Sequence, residues 1–316
     1  MSGGHVIALS GGIGGAKLAL GLDRVLAPGQ LTVIANTGDD FRHLGLHISP
    51  DIDTLLYTLA GLDDPAKGWG RRDESWTFMR ALAELGGETW FQLGDGDLAT
   101  HVERTRRLGE GESLSQVTDA LRRRLGIGSA IVPMSDDPVA TRVNTDEGWL
   151  DFQHYFVRRR CEPRVSGLDF VGAGEARLAP EAAAAFRAPG LRAVVLCPSN
   201  PYLSVDPILA VPGLRAALER CAAPVIAVSP IIAGQAVKGP TAKMMTELGL
   251  EPGAATVARH YGGLIDAFVI DAADAGLAIA GLTVAATPTL MRSLDDRMRL
   301  ARFVLALADR LAGARA

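Results

Sequence analysis

A short apolar run that ends in a cluster of glycines constrains this chain more than any other feature. Val6-Ile7-Ala8-Leu9 leads into Ser10-Gly11-Gly12-Ile13-Gly14-Gly15-Ala16-Lys17, and a helical pattern of Leu18, Leu20, Leu22, Val25 and Leu26 follows. A run this short, without polar alternation, suits a strand buried on both faces of a parallel sheet. Glycines at its end allow positive φ and close approach by a ligand. The amides that open the following helix attract anions such as phosphate. The turn nevertheless misses both standard patterns. A Walker A loop needs Ser or Thr where Leu18 stands, and a dinucleotide fingerprint needs glycine where Lys17 stands. The expectation is a phosphate or nucleotide turn of another kind. The plainer alternative is a tight strand-to-helix turn with no ligand.

Four more runs share that character: Leu31–Ala35, Ala193–Leu196, Val225–Val228 and Ala267–Ile270, with Thr283–Ala286 as a sixth candidate. Helical patterns lie between them, at Ile208–Leu218, Thr241–Leu248 and Thr256–Tyr261, and a last helix is expected over Leu290–Ala312. Strands alternating with helices imply βαβ units, an α/β fold with a mostly parallel sheet and helices on both faces. The stretch 65–186 breaks this rhythm. It carries helical patterns at Trp76–Leu85 and Leu98–Leu108, then a hairpin of 141–145 and 149–152 about Asp146-Glu147-Gly148. The domain reading is a Rossmann-like core of 1–64 and 187–316, with 65–186 inserted as a cap within one folded unit.

Polar turns follow the strand runs. They are Asn36-Thr37-Gly38-Asp39-Asp40, Cys197-Pro198-Ser199-Asn200-Pro201 and Ser229-Pro230-Ile231. In an open parallel sheet these carboxyl ends share one edge, and ligands bind in the crevice there. Further acidic turns are Ser49-Pro50-Asp51-Ile52-Asp53-Thr54, Leu93-Gly94-Asp95-Gly96-Asp97 ahead of His101, and Pro133-Met134-Ser135-Asp136-Asp137-Pro138. Asp51 and Asp97 can equally be helix caps, and His101 a packed side chain. Hard carboxylate oxygens suit Mg²⁺ bridging phosphates. Only four of the 32 basic residues are lysines, and Lys17, Lys238 and Lys243 lie in or beside glycine- or proline-marked turns. Lys238 and Lys243 can meet a phosphate.

Other classes are excluded by bulk properties. A net charge of −4 offers no basic field for nucleic acid. The three cysteines, Cys161, Cys197 and Cys221, lack metal spacing, and neither a signal peptide nor an apolar stretch of membrane-spanning length is present, so a cytoplasmic, membrane-free protein is expected. A Ser-His-Asp triad, an HExxH helix and paired CxxC motifs are also missing. Phosphate-ester chemistry with a divalent ion fits the remaining groups better than hydride or acyl transfer.

The ordered set SGGIGGAK (10–17), NTGDD (36–40), SPDIDT (49–54), LGDGDLATH (93–101), PMSDDPV (133–139), PSNP (198–201), SPII (229–232) and KGPTAK (238–243) resembles the 2-phospho-L-lactate transferases of coenzyme F-420 biosynthesis. The resemblance implies a Rossmann-like fold, a Mg²⁺ cofactor and a homodimer. The small-molecule substrates are a guanosine diphosphate ester of a three-carbon acid, lactyl or enolpyruvoyl, and the deazaflavin FO. FO's ribityl hydroxyl would attack the phosphorus bearing the acid, and GMP would leave. On this scheme Asp51 and Asp53 are the catalytic candidates. Asp53, Thr54, Gln92 and Asp95 face FO, and Gln92 stands where family members can carry lysine. Gly11, Gly12, Gly14, Lys17, Asn36, Ser199, Asn200, Ser229, Lys238 and Lys243 face the donor. Asp39, Asp40 and Asp51 are the metal candidates. Two alternatives remain, a non-catalytic nucleotide-sugar binder of the gluconeogenesis-factor type and a generic kinase.

Overall fold

The computed structural model describes residues 4–315. The first unit runs β1 (His5–Ser10), α1 (Gly12–Val25), β2 (Leu31–Ala35), then a small hairpin of β3 (Phe41–His43) and β4 (Leu46–Ile48), and α2 (Pro50–Ala60). Next come α3 (Thr77–Glu84), α4 (Asp95–Gly109), α5 (Leu114–Arg124), β5 (Ala130–Pro133), β6 (Ala140–Thr145), β7 (Gly148–Asp151), β8 (Val165–Val171) and α6 (Pro180–Arg187). The chain then continues through β9 (Leu191–Leu196), α7 (Asp206–Ala210), α8 (Leu214–Glu219), β10 (Val225–Val228), β11 (Ile231–Ile232), β12 (Gln235–Ala236) and α9 (Thr241–Glu247). It closes with α10 (Ala254–Tyr261), β13 (Ala267–Ile270), β14 (Thr283–Ala286) and α11 (Leu294–Arg315).

Seven strands form one parallel sheet in the order β14-β13-β10-β9-β1-β2-β5. Alternation along β1 sends Val6 and Ala8 into one core and Ile7 and Leu9 into the other. The first core is closed by α1, α2 and α11 through Leu18, Ile52 and Leu300. The second is closed by Ile208, Leu214 and Val257, together with Tyr155 from the region after β7. Both faces are covered, which is why the strand runs show no polar alternation.

The domain boundary expected from sequence needs a correction. β5 lies inside the 65–186 stretch, yet it pairs in parallel with β2 at the sheet edge. The stretch therefore supplies a core strand as well as a cap. The cap proper is α3, α4 and the antiparallel β7-β6-β8 sheet. Ala130-Ile131-Val132-Pro133 is short and ends in proline, so its sequence signal is weak. The helix expected over 208–218 is broken into α7 and α8 at Pro212-Gly213, where Gly213 has φ +90°. The last helix starts at Leu294 rather than 290. The Asp296 carboxylate takes the amides of Arg292 and Ser293, and the Ser293 hydroxyl takes the amide of Asp296. That reciprocal cap sets the start.

The order of the sheet reverses between β1 and β9, which pair in parallel near its middle. The chain leaves β1 for α1 on one face and β9 for α7 and α8 on the other, which leaves a crevice at the carboxyl ends, the usual ligand position in a sheet of this kind.

Candidate functional site at the sheet switch point

A cleft of about 930 Å³ opens over that crevice. Its floor is the glycine turn with Pro198 and Ser199; one wall comes from α2, and Phe152 and Phe156 stand on the cap side. The glycine turn proves to be the first turn of α1 itself. Gly11 is its N-cap, and Gly12 sits at φ +64°, which a side chain would strain. At Gly14 an added Cβ would strike the carbonyl of Pro198. Gly14 therefore lets α1 lie against the end of β9.

Two amides expected to face donor phosphates are already engaged. The Gly11 amide donates to Ser199 Oγ at 3.1 Å, and that hydroxyl donates back to the Gly11 carbonyl at 2.7 Å. The Gly12 amide donates to Asp51 Oδ1 at 2.6 Å. Asp51 is thus a cap, but of α1 across the cleft rather than of its own helix. Its other oxygen accepts from Asn36 Nδ2 at 2.9 Å. Burial pushes the Asp51 carboxyl up to about 6, against the pull of Asn36 and Gly12. Asp39 is also buried, and its Oδ1 has no partner among the described residues. Burial, with Asp51 adding its charge, holds the Asp39 carboxyl well above the usual range. Two buried carboxylates thus sit together beside the glycine turn, one of them with a free oxygen.

Asp40, the third metal candidate, is held away from the cleft. Its Oδ2 accepts from Ser49 Oγ at 2.6 Å and lies 3.2 Å from His47 Nε2. Burial raises its pKa, and those two partners oppose the rise.

On the α2 wall Asp53 is clamped by Arg104 of α4. Arg104 Nη1 reaches Asp53 Oδ2 at 3.1 Å, and Nη2 bonds Oδ1. Arg104 is 0% exposed. Burial works against its charge, but the Asp53 carboxylate outweighs burial and lifts the guanidinium above its ordinary pKa. His101 Nδ1 faces Arg104 Nη1 at 3.3 Å, while its Nε2 lies 3.2 Å from Asp97 Oδ1. Arg104 can only donate, so that contact calls for an acceptor at Nδ1, while Nε2, though close to Asp97, makes no hydrogen bond among the described residues. Tyr57 donates to the same Asp97 oxygen at 2.6 Å. Asp53, Asp97 and His101 present ligand atoms within 4.8 Å of one another, but Arg104 already neutralises Asp53.

The other expected residues divide. Thr54, Gln92, Asn200, Ser229 and Lys238 line the cleft. Ser229 is tied to the backbone of Ile231, and Asn200 caps Tyr202 and Leu203. Asn36 lies beneath the surface as the support of Asp51 and of the Gly38 amide. Asp95 is outside the cleft: its carboxylate takes Ser75 Oγ and the Thr77 and Phe78 amides, capping α3. Lys243 is outside too. It bonds the Pro163 carbonyl at 3.0 Å and Glu247 at 2.6 Å, fastening the cap to α9. Asp136 caps α5 through the Ser115 amide, and Asp137 pairs with Arg177 at the surface. Sequence reasoning missed Arg104. The signal was present: residues 97, 101 and 104 recur at i, i+4 and i+7, one face of a helix.

No helix among the described residues is long and apolar enough to cross a membrane. The family model for 2-phospho-L-lactate transferase CofD matches residues 6–281. A phosphoenolpyruvate transferase of Streptomyces avermitilis is 42% identical, over 96% of this chain and 98% of its own length. A 2-phospho-L-lactate transferase of Methanopyrus kandleri is 40% identical, over 98% and 99%. Among solved structures, a UPF0052-family protein from Bacillus halodurans has the same fold, with TM-score 0.62 at 14% identity over 96% and 99% of the two chains. The buried acidic cleft at the switch point and these matches lead to one conclusion: the chain is an enzyme of the 2-phospho-L-lactate transferase family, which transfers phosphate-bearing groups.

Proposed function

We propose that the enzyme moves a phospho-three-carbon-acid group, 2-phospho-L-lactyl or phosphoenolpyruvyl, from a guanosine diphosphate ester to the ribityl hydroxyl of deazaflavin FO. The observation that carries this reading is one cleft lined by the glycine turn and Asp39 together with Asp51, Asp53 and Thr54 of α2. The glycine turn suits a phosphorylated donor, and Asp53 with Thr54 suits a hydroxyl acceptor. Family membership supports the choice of donor and acceptor.

The residues fit a Mg²⁺ ion. Asp39 and Asp51 offer hard oxygens, Asp39 Oδ1 has no partner among the described residues, and burial makes both carboxylates gain from a cation. Asp40 also has an unpartnered Oδ1 among the described residues, but Ser49 and His47 hold its Oδ2 and it does not line the cleft. The ion would offset charge on the donor phosphates. The chain's own groups then do the positioning. The N-terminus of α1 favours negative charge at the donor. Asp53, fixed by Arg104, accepts the hydrogen of the acceptor hydroxyl and aims its oxygen. That oxygen bonds to the phosphorus bearing the acid as the phosphorus–GMP bond breaks. Such a transfer asks for alignment and charge neutralisation more than covalent help.

The test is incubation of the protein with FO, Mg²⁺ and each three-carbon ester, followed by chromatography. GMP and a more acidic deazaflavin are expected in equal amounts. No product with any ester would reject the reading. A homodimer is part of the same proposal, and sedimentation would decide it.

A further inference from the structure

A side chamber of about 70 Å³ opens off the cleft between α1 and the loop 63–70. Four cations line it: Lys17, Lys238, Arg292 and Arg297. They come from α1, the turn before α9, and the segment that enters α11. One carboxylate, Asp63, is set against them. Among the described residues the side chains of Lys238, Arg292 and Arg297 have no ion-pair partner, and Arg297 Nε is buried with no acceptor at all. Lys17 Nζ donates to the Met291 carbonyl at 3.2 Å. Burial, then the charges of Arg297 and Lys238, hold the Lys17 ammonium below its ordinary pKa. Lys17 thus feels the charge of its cationic neighbours, and a bound anion would offset it.

Size and neighbours narrow the anion. The chamber is far smaller than the main cleft, about 70 against 930 Å³, which suits a carboxylate or a phosphoryl group better than a nucleoside. Its lining includes none of Gly11, Gly12, Asp39, Asp51 or Ser199, which border only the main cleft. The carboxylates that fit a metal therefore lie outside it. Metal-bridged phosphates belong beside them. The chamber shares Thr54 and Tyr57 of the α2 wall with the main cleft, and also Lys17, Lys238 and Arg292. It therefore lies between the donor side and the acceptor wall, where the transferred end of the donor would sit. Arginine forks match planar carboxylates.

We propose that this chamber seats the carboxylate of the donor's three-carbon acid, and that Arg292 and Arg297 make the enzyme select an acid-bearing ester over other nucleotides. This rests on the function proposed above. It adds a specificity site for the transferred group. The acid then lies in a pocket of fixed charge, away from the metal.

The experiment is calorimetric titration at fixed Mg²⁺ with FO absent, so that no turnover occurs. The probes are GDP, the GDP ester of lactate, and the GDP ester of 2-propanol, which has the same carbon skeleton without the acid. The wild type is expected to bind the lactyl ester about tenfold or more tighter than the propyl ester. Arg292→Gln and Arg297→Gln should each bring that ratio close to one, with GDP affinity changed by less than about twofold. Arg292 is exposed, so its variant decides the matter if the other does not fold. Equal binding of the two esters by the wild type would overturn the chamber's role and leave the transferase reading standing. Parallel weakening of GDP and both esters in the variants would do the same, since it assigns the cations to the diphosphate. If the wild type binds none of the three, both the function and the chamber's assignment fall.

Discussion

Replacing Arg104 with Met would remove the partner of a largely buried carboxylate on the cleft wall. Arg104 is 0% exposed and bidentate to Asp53, which is 5% exposed. Breaking a buried pair by deleting one member costs about 3–5 kcal/mol, because the remaining charge stays desolvated. At about 2 cal/mol/K of unfolding entropy per residue, a chain of 316 residues should lose roughly 5–8 °C in Tm. The reasoning can be isolated with a second substitution. Asp53→Asn in the Arg104→Met background removes the stranded charge, so the double variant should recover more than half of the loss. Denaturant unfolding and calorimetry on the four proteins give the coupling energy. A single-variant loss under about 1 kcal/mol would show that Asp53 finds water or a proton instead. A double variant no more stable than the worse single would show that Arg104 acts by packing, not by charge. The same clamp alters what Asp53→Asn alone should do. Turnover should fall at least about tenfold, but with a loss of stability from the stranded Arg104 that the rate measurement has to be corrected for.

Further outcomes are expected elsewhere. Asp39→Asn should raise the Mg²⁺ concentration needed for half-maximal turnover by about tenfold, whereas Asp40→Asn should change it little; equal effects would contradict the assignment. Gly14→Ala should lower stability by about 1–2 kcal/mol, since the gain in helix propensity is smaller than the cost of pushing α1 off the Pro198 carbonyl. Unchanged stability with unchanged activity would show that the contact is soft. Lys243→Met should destabilise the protein while leaving KM for the donor within about twofold; a large KM effect would return Lys243 to the binding site. Asp271 takes the Thr289 amide at 2.7 Å, and Thr289 lines the cleft. Burial raises the Asp271 pKa, but bonds from Ala273 and Thr289 outweigh it, and the folded value lies below the ordinary one. Its stabilisation is therefore present above about pH 4 and is lost as pH falls through the depressed folded value. Stability curves for wild type and Asp271→Asn should separate above that pH and converge below it; parallel curves would refute the linkage.

The sequence alone determined the strand-and-helix alternation, the parallel sheet and the edge on which the polar turns gather. Those features follow from local pattern. A strand buried on both faces must be apolar throughout, and a chain leaving a strand for a helix needs permissive residues. The motif order also carried the family. What it could not show is which polar groups are spent on each other. The amides of Gly11 and Gly12 look free in sequence and are taken by Ser199 and Asp51, which lie 188 and 39 residues away. Asp39 and Asp40 are adjacent and identical, yet only Asp39 lines the cleft, because Ser49 and His47 turn Asp40 away. Arg104 and the cation chamber depend on contacts between distant elements. The physical reason is the same in each case. Pattern fixes a residue's local conformation, but a hydrogen bond or a charge is satisfied by whatever the fold brings within 3 Å, and only the tertiary structure decides that.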